Sequence, residues 1–197
     1  MPKVVDHEQR RREIVEALWR IASTQGLEGV SLGEVATEAG VSKGLIQHYF
    51  RNRDQLLAHA TGYLRERVER RIAAQVDTAP RNARGILRAI LAALLPVDEN
   101  SRTESLVANA FLVRAHNDPV LMARFRDGHA QLRDAVASSI SAAQRDGELV
   151  ADLDPVLAAD VLLALVSGLG EALLLGRHTP EAALSILDHQ LRGLSVS

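Results

Sequence analysis

The chain has 197 residues, of which 47% are hydrophobic and 24% charged, with a formal net charge of −2 and no cysteine. That is enough apolar material for one large or two small domains. It excludes disulfides and cysteine-ligated zinc or iron–sulfur centres. Charge is spread unevenly: residues 1–71 hold 12 Lys+Arg against 10 Asp+Glu, whereas residues 72–197 hold 11 against 15. An N-terminal part suited to approaching an anion, and a C-terminal part that is not, is the expectation.

Period-2 alternation is absent and a 3.6-residue period recurs, so an all-α fold of about nine helices is expected. The opening "MPKVVDHEQRRREI" carries no apolar leader, and a cytoplasmic protein is expected. Ile14, Ala17, Leu18 and Ile21 predict a first helix from about 6 to 25, ended by Gly26 and Gly29. "SLGE" at 31–34 is a capping box opening a short second helix to Ala39. Ser42 caps a third, from Lys43 to about Tyr49, and Asn52 a fourth, over about 53–76. "DTAPRNA" at 77–83 breaks the pattern before a helix at about 83–95. A box at Ser101 to Glu104 then opens the sixth. Asp118-Pro119, Asp154-Pro155 and Thr179-Pro180 each place an N-cap before a proline at the first helical position. Gly147 and Gly176 stand where helices stop.

The helix from Val156 to Leu175 carries only Asp160 and Glu171 as charges. Two carboxylates are costly in a membrane span, so a helix buried on two sides is expected, one side against a partner. With the stripe of the last helix, two such chains form a four-helix bundle of two-fold symmetry. The expected homodimer residues are Leu162, Val166, Leu169, Leu173, Leu184, Leu187 and Leu191.

Residues 31–50 fit a helix-turn-helix. Ala36 allows two helices to cross closely, Gly40 suits a turn at positive φ, and Val35, Val41 and Ile46 lock the pair together. The exposed face of the second helix then enters the DNA major groove. Lys43 and Gln47, one turn apart, suit guanine and adenine edges. His48 and Tyr49 are long enough to reach phosphate oxygens or a thymine methyl, Arg53 suits a second phosphate clamp, and Arg10, Arg11 and Arg12 track the backbone beside the first helix. Phe50 belongs to the core.

"GLEGVSLGEVATEAGVSKGLIQHYFRNRDQLL" resembles the DNA-binding domain of TetR-family transcriptional regulators over roughly residues 8–60. "LLPVDENSRTESLVANAFLVRAHNDPVL" resembles, more loosely, the BetI-like subgroup. The resemblance implies a helix-turn-helix domain over 1–52 and a ligand-binding and dimerisation domain over 53–197, connected by the helix 53–76. It implies DNA contacts at Ser31, Ser42, Lys43, Gly44, Gln47, His48, Tyr49 and Arg53. It further implies a homodimer through the last two helices, most often a repressor, on a palindromic operator of double-stranded DNA. A small-molecule effector of unknown identity releases it.

Only Phe111 and Phe125 are aromatic after residue 72, so an aliphatic pocket with a few polar groups is expected. Its candidate residues are Asn109, Phe111, Arg114, Phe125, His129, Ser167 and Glu171. The seven histidines show no metal-binding spacing, and neither a nucleophile elbow nor a phosphate-cradling loop appears. No catalysis, metal, cofactor or membrane is therefore expected. The alternative is a helical binding protein or enzyme that does not use its helix-turn-helix on DNA.

Overall fold

The computed structural model describes residues 7–28 and 30–196. Among these, nine helices follow in order: α1 (His7–Gln25), α2 (Leu32–Glu38), α3 (Lys43–Tyr49), α4 (Arg53–Thr78), α5 (Ala83–Ala93), α6 (Glu99–Ala115), α7 (Pro119–Arg145), α8 (Pro155–Leu174) and α9 (Pro180–Gly193). The all-α class expected from periodicity is the class found. Gly29, one of two expected stops for α1, lies outside the described residues; Gly26, with φ 75°, ends that helix.

Packing divides the chain into two compact units. One holds the residues up to Glu66 together with Thr103–Ala123, and the other Arg67–Arg102 with Arg124 onward. The resemblance implies a boundary after residue 52, whereas packing joins the first part of α4 and most of α6 to the N-terminal helices. The apolar face of α6 is the reason: Val107, Phe111 and Ala115 are buried and fall in the first unit.

The first unit is built around α1, α2, α3 and the first half of α4. Ile14, Val15, Leu18, Val35, Ile46, Phe50, Leu56 and Leu57 are all buried. Trp19 on α1 lies 5.2 Å from the ring of Tyr63 on α4, and the Tyr63 hydroxyl donates to Glu16 Oε1 at 3.4 Å.

The second unit packs α5, the later part of α7, α8 and α9 around Leu87, Leu91, Leu95, Ile140, Leu162, Val166, Leu187 and Leu191. The Glu148 carboxylate accepts from Arg84 N at 2.8 Å, placing a negative charge at the start of α5, where the helix dipole favours it. Arg102 donates to the carbonyls of Leu173 and Leu174 at 3.3 and 3.0 Å, at the C-terminal end of α8.

The start of α6 corrects an expectation. Ser101 does not cap it. Asp98 does: Asp98 Oδ1 accepts from Ser101 N at 2.9 Å, and Ser101 Oγ accepts from Asp98 N at 3.1 Å. The reciprocal box runs from Asp98 to Ser101, and Ser101 and Glu104 are both buried.

Arg88 on α5 forks onto Asp188 on α9, Nε to Oδ1 at 2.5 Å and Nη2 to Oδ2 at 2.9 Å. The hydrogen bonds from Arg88 hold Asp188 below the usual carboxylate range. A depressed folded pKa contributes stability that is complete above the unfolded value, about pH 4, and disappears as pH falls through the folded one. Asp188→Asn is therefore expected to lose less stability than the parent between about pH 4 and pH 2 in urea melts followed by circular dichroism. Parallel curves over that interval would show that the pair contributes nothing.

Candidate nucleic-acid interface

α2 and α3 have seven residues each, too few to persist alone in water. Caps and burial hold them. Ser31 Oγ accepts from Glu34 N at 3.2 Å while Glu34 Oε2 accepts from Ser31 N at 2.7 Å. Ser42 Oγ accepts from Leu45 N at 3.2 Å. Between the helices Gly40 takes φ 65°, a conformation that a side chain resists. Val41 N donates back to Ala36 O at 2.9 Å. Ala36, Val35 and Ile46 are buried at this crossing.

With Ile46 and Phe50 turned in, α3 turns out Lys43, Gly44, Gln47 and His48, all exposed. The side chains of Lys43 and Gln47 make no hydrogen bond or ion pair within the described residues. Gly44 is helical, and a Cβ built on it meets nothing nearer than Ser42 Oγ at 3.9 Å. The chain's own packing therefore does not demand a glycine there. Ser31 and Ser42 are exposed, and their hydroxyls, though accepting in caps, keep a proton to donate.

Tyr49 and Arg53 are more enclosed than the rest of the expected set. Tyr49 is only 8% exposed. Its ring lies 5.6 Å from that of His7 and 5.2 Å from that of His48, so it wedges α3 against α1. Arg53 turns inward: its Nε donates to Val30 O at 2.6 Å and its Nη2 to Leu27 O at 2.5 Å. Burial, and then the nearby charge of Arg114, lower its pKa, against a raising influence from Asp54. Arg53 is thus a staple for the α1–α2 loop, and not an outward clamp.

Arg51 is the cation that sequence reasoning passed over. It is exposed just past α3, and its guanidinium has no partner within the described residues. In "RNRD" the two arginines look alike; the Asn52 cap, bonded to Gln55 N at 2.8 Å, puts one in the loop and the other on the first turn. On α1, Arg10 pairs with Glu13 at 2.5 Å and Arg11 with Glu8 at 2.8 Å, leaving Arg12 exposed and without an ion pair among the described residues.

The candidate ligand residues are divided between the two units. Asn109, Phe111 and Arg114 fall in the first unit, and Phe125, His129, Ser167 and Glu171 in the second. Phe111 is 0% exposed, a core residue. Arg114 pairs with Asp54 at 3.2 Å. Asn109, His129, Ser167 and Glu171 lie on the surface.

The expected dimer residues need a correction as well. Leu162, Val166, Leu169, Leu173, Leu187 and Leu191 are buried within their own unit, and Leu184 is packed against that core. The buried ones offer a partner little surface, whereas Leu184 is half-buried. The opposite face of α8 carries the exposed apolar groups, Val156, Leu157 and Val161, with Leu175 just beyond its end. α8 is the one helix among the described residues long and apolar enough to cross a membrane, yet its leucine face is used inside the unit.

A helix-turn-helix with an outward polar face, set in an all-α chain, defines a DNA-binding regulator. Residues 14–60 match the family model described as bacterial regulatory proteins of the tetR family, and residues 83–195 match that of the BetI-type transcriptional repressor C-terminal domain. The chain belongs to the TetR family of transcriptional regulators, with a C-terminal domain of the BetI type. It is 35% identical over 171 residues to the HTH-type transcriptional regulator PksA of Bacillus subtilis, covering 86% of this chain and 80% of that one. It is 36% identical over 126 residues to the HTH-type transcriptional regulator BetI of Burkholderia lata, covering 61% and 62%. A TetR-family regulator from Rhodococcus sp. has the same fold, with a TM-score of 0.83 at 27% identity over 94% of this chain and 98% of that one. Proteins of this family are DNA-binding regulators, not enzymes. They bind DNA through the helix-turn-helix and dimerise through the C-terminal domain.

Arg53→Ala is expected to destabilise the first unit by about 1–3 kcal/mol, because two loop carbonyls lose a charged donor. Hydrogen exchange at residues 27–31 reads the change directly. Unaltered protection there would remove the staple role.

Proposed function

We propose that this protein is a repressor that binds a palindromic operator as a homodimer and is released by a small molecule. The observation that carries the DNA reading is the division of α3 into two faces. Ile46 and Phe50 are buried, while Lys43 and Gln47 point out with no side-chain partner among the described residues. Lys43 and Gln47 read base edges in the major groove. Ser31, Ser42, His48, Arg51 and the Tyr49 hydroxyl approach phosphates, which position the protein without reading sequence. The bare backbone at Gly44 lets the duplex come close. Release by an effector is proposed from family membership; its binding residues are not assigned.

The proposed dimer surface is the outward stripe of α8: Leu157, Val161, Ala164, Gly168 and Leu175. They recur at helical spacing on one face. A Cβ built on Gly168 meets nothing within 4 Å. A mid-helix glycine costs about 1 kcal/mol relative to alanine, and a partner helix approaching closely gives a reason for it. Beside the stripe lies a hollow of about 150 Å³, lined by Leu153, Leu157, Ala158, Val161, Gln190 and Leu194 among others, suited to a partner's apolar side chain.

The test begins with an operator selected from random duplex DNA by the intact protein. Lys43→Ala and Gln47→Ala are each expected to weaken binding by about 1–3 kcal/mol and to relax preference at particular base pairs. Affinity is expected to fall steeply between about 50 and 200 mM salt. Failure to retain any duplex at the lower salt would favour a helical binding protein whose hairpin never meets DNA. Val161→Asp is expected to give a monomer in sedimentation and to abolish operator binding at concentrations where the parent is saturated, since one half-site supplies too few contacts. A dimer surviving Val161→Asp and Leu157→Asp together would place the partner elsewhere.

A further inference from the structure

Three aromatic rings meet at the C-terminal end of α3, and one of them comes from outside the helix-turn-helix. His7, on the first turn of α1, lies 5.6 Å from Tyr49 and 6.3 Å from His48, ring centre to ring centre. His48 meets Tyr49 edge to face at 5.2 Å. Tyr49 is packed, whereas both imidazoles are exposed. The wedge that pins α3 to α1 thereby holds two histidines side by side on the surface that presents Lys43 and Gln47.

Among the described residues, Arg12 on α1 and Arg51 just past α3 are exposed cations of the same unit. On α1, Glu8 and Arg11 pair with each other at 2.8 Å, and Arg10 with Glu13 at 2.5 Å. On α3 the neighbours are Tyr49 and, towards the other end, Lys43. On α4, the His59 ring lies 5.4 Å from that of Phe50, tilted by 51°. Burial, and then Arg11, lower the His59 pKa against Glu8 and Glu66, which keeps that third imidazole neutral over a wider range.

We propose that His7 and His48 together form a proton-dependent contact for a backbone phosphate of the operator, extending the interface from α3 onto α1. The proposal rests on α3 being the DNA-reading helix. Imidazole changes charge between about pH 5 and pH 8. Both ring nitrogens donate in the charged form, and a nearby phosphate favours that form. DNA binding therefore takes up protons, and operator affinity rises as the solution is acidified.

The experiment measures operator affinity of the intact dimer by fluorescence anisotropy at constant salt, from about pH 8 to about pH 6. The parent is expected to bind roughly 3- to 30-fold more tightly at the acid end. His7→Gln is expected to remove a large part of that gain, and His7→Gln with His48→Gln nearly all of it. The readout is the slope of log affinity against pH, which loss of a merely structural contact leaves unchanged. Circular dichroism and sedimentation verify that the variants remain folded dimers. His59→Gln is expected to keep the parent slope. A parent without pH dependence, a double variant with the parent slope, or a slope abolished by His59→Gln would each overturn the proposal. Failure of the underlying reading looks different, since no duplex is then retained at any pH.

Discussion

Ile46 has no exposed surface, and neither has Val35; the two helices that carry them depend on that burial. At seven residues, α2 and α3 cannot recover their nucleation cost from internal hydrogen bonds. They persist because each buries apolar side chains against the rest of the first unit, and because Ser31 and Ser42 satisfy groups that short helices leave open. Gly40 sets the turn at φ 65°, and Ala36 keeps the crossing close. Lys43 and Gln47 take their direction from that crossing. A shift of one position along α3 would exchange Gln47 for Ile46 at the surface.

Arginines do much of the internal fastening. Arg53 bonds the carbonyls of Val30 and Leu27, Arg71 that of Ala93, and Arg102 those of Leu173 and Leu174. These carbonyls lie in a loop or near helix ends. Arg114 serves Asp54, and Arg88 serves Asp188. The modest cationic excess of the N-terminal part is therefore smaller at the surface than in the composition. Lys43, Arg51 and Arg12 remain outward, and two imidazoles beside Tyr49 supply charge only when protonated. α6 carries two of the fasteners, Arg102 near its start within the second unit and Arg114 near its end within the first.

Most helix boundaries were legible because caps are local. Ser31 with Glu34, Ser42, Asn52, Asp118, Asp154 and Thr179 all act within three residues of themselves, and the structure uses each of them. The start of α6 was misread because "DENSRTE" offers two overlapping boxes, and burial of Ser101 and Glu104 decided for Asp98. The recognition helix was legible for the same local reason, together with a pattern in which Ile46 and Phe50 alternate with polar residues at helical spacing. The role of Arg53 was not legible, since it depends on carbonyls more than twenty residues away.

Sequence alone determined the helical class, the order of the helices, the turn at Gly40 and the polar face of α3, because these follow from periodicity and from interactions a few residues long. Tertiary structure alone decided which side of α8 faces inward. That helix is apolar nearly all round, so its periodicity supports either stripe; packing against α5 and α9 chose Leu162, Val166, Leu169 and Leu173. It likewise decided that Arg53 staples a loop, that Tyr49 is a wedge and that Phe111 is core. Each of these outcomes depends on partners distant in the chain, and no local rule contains them.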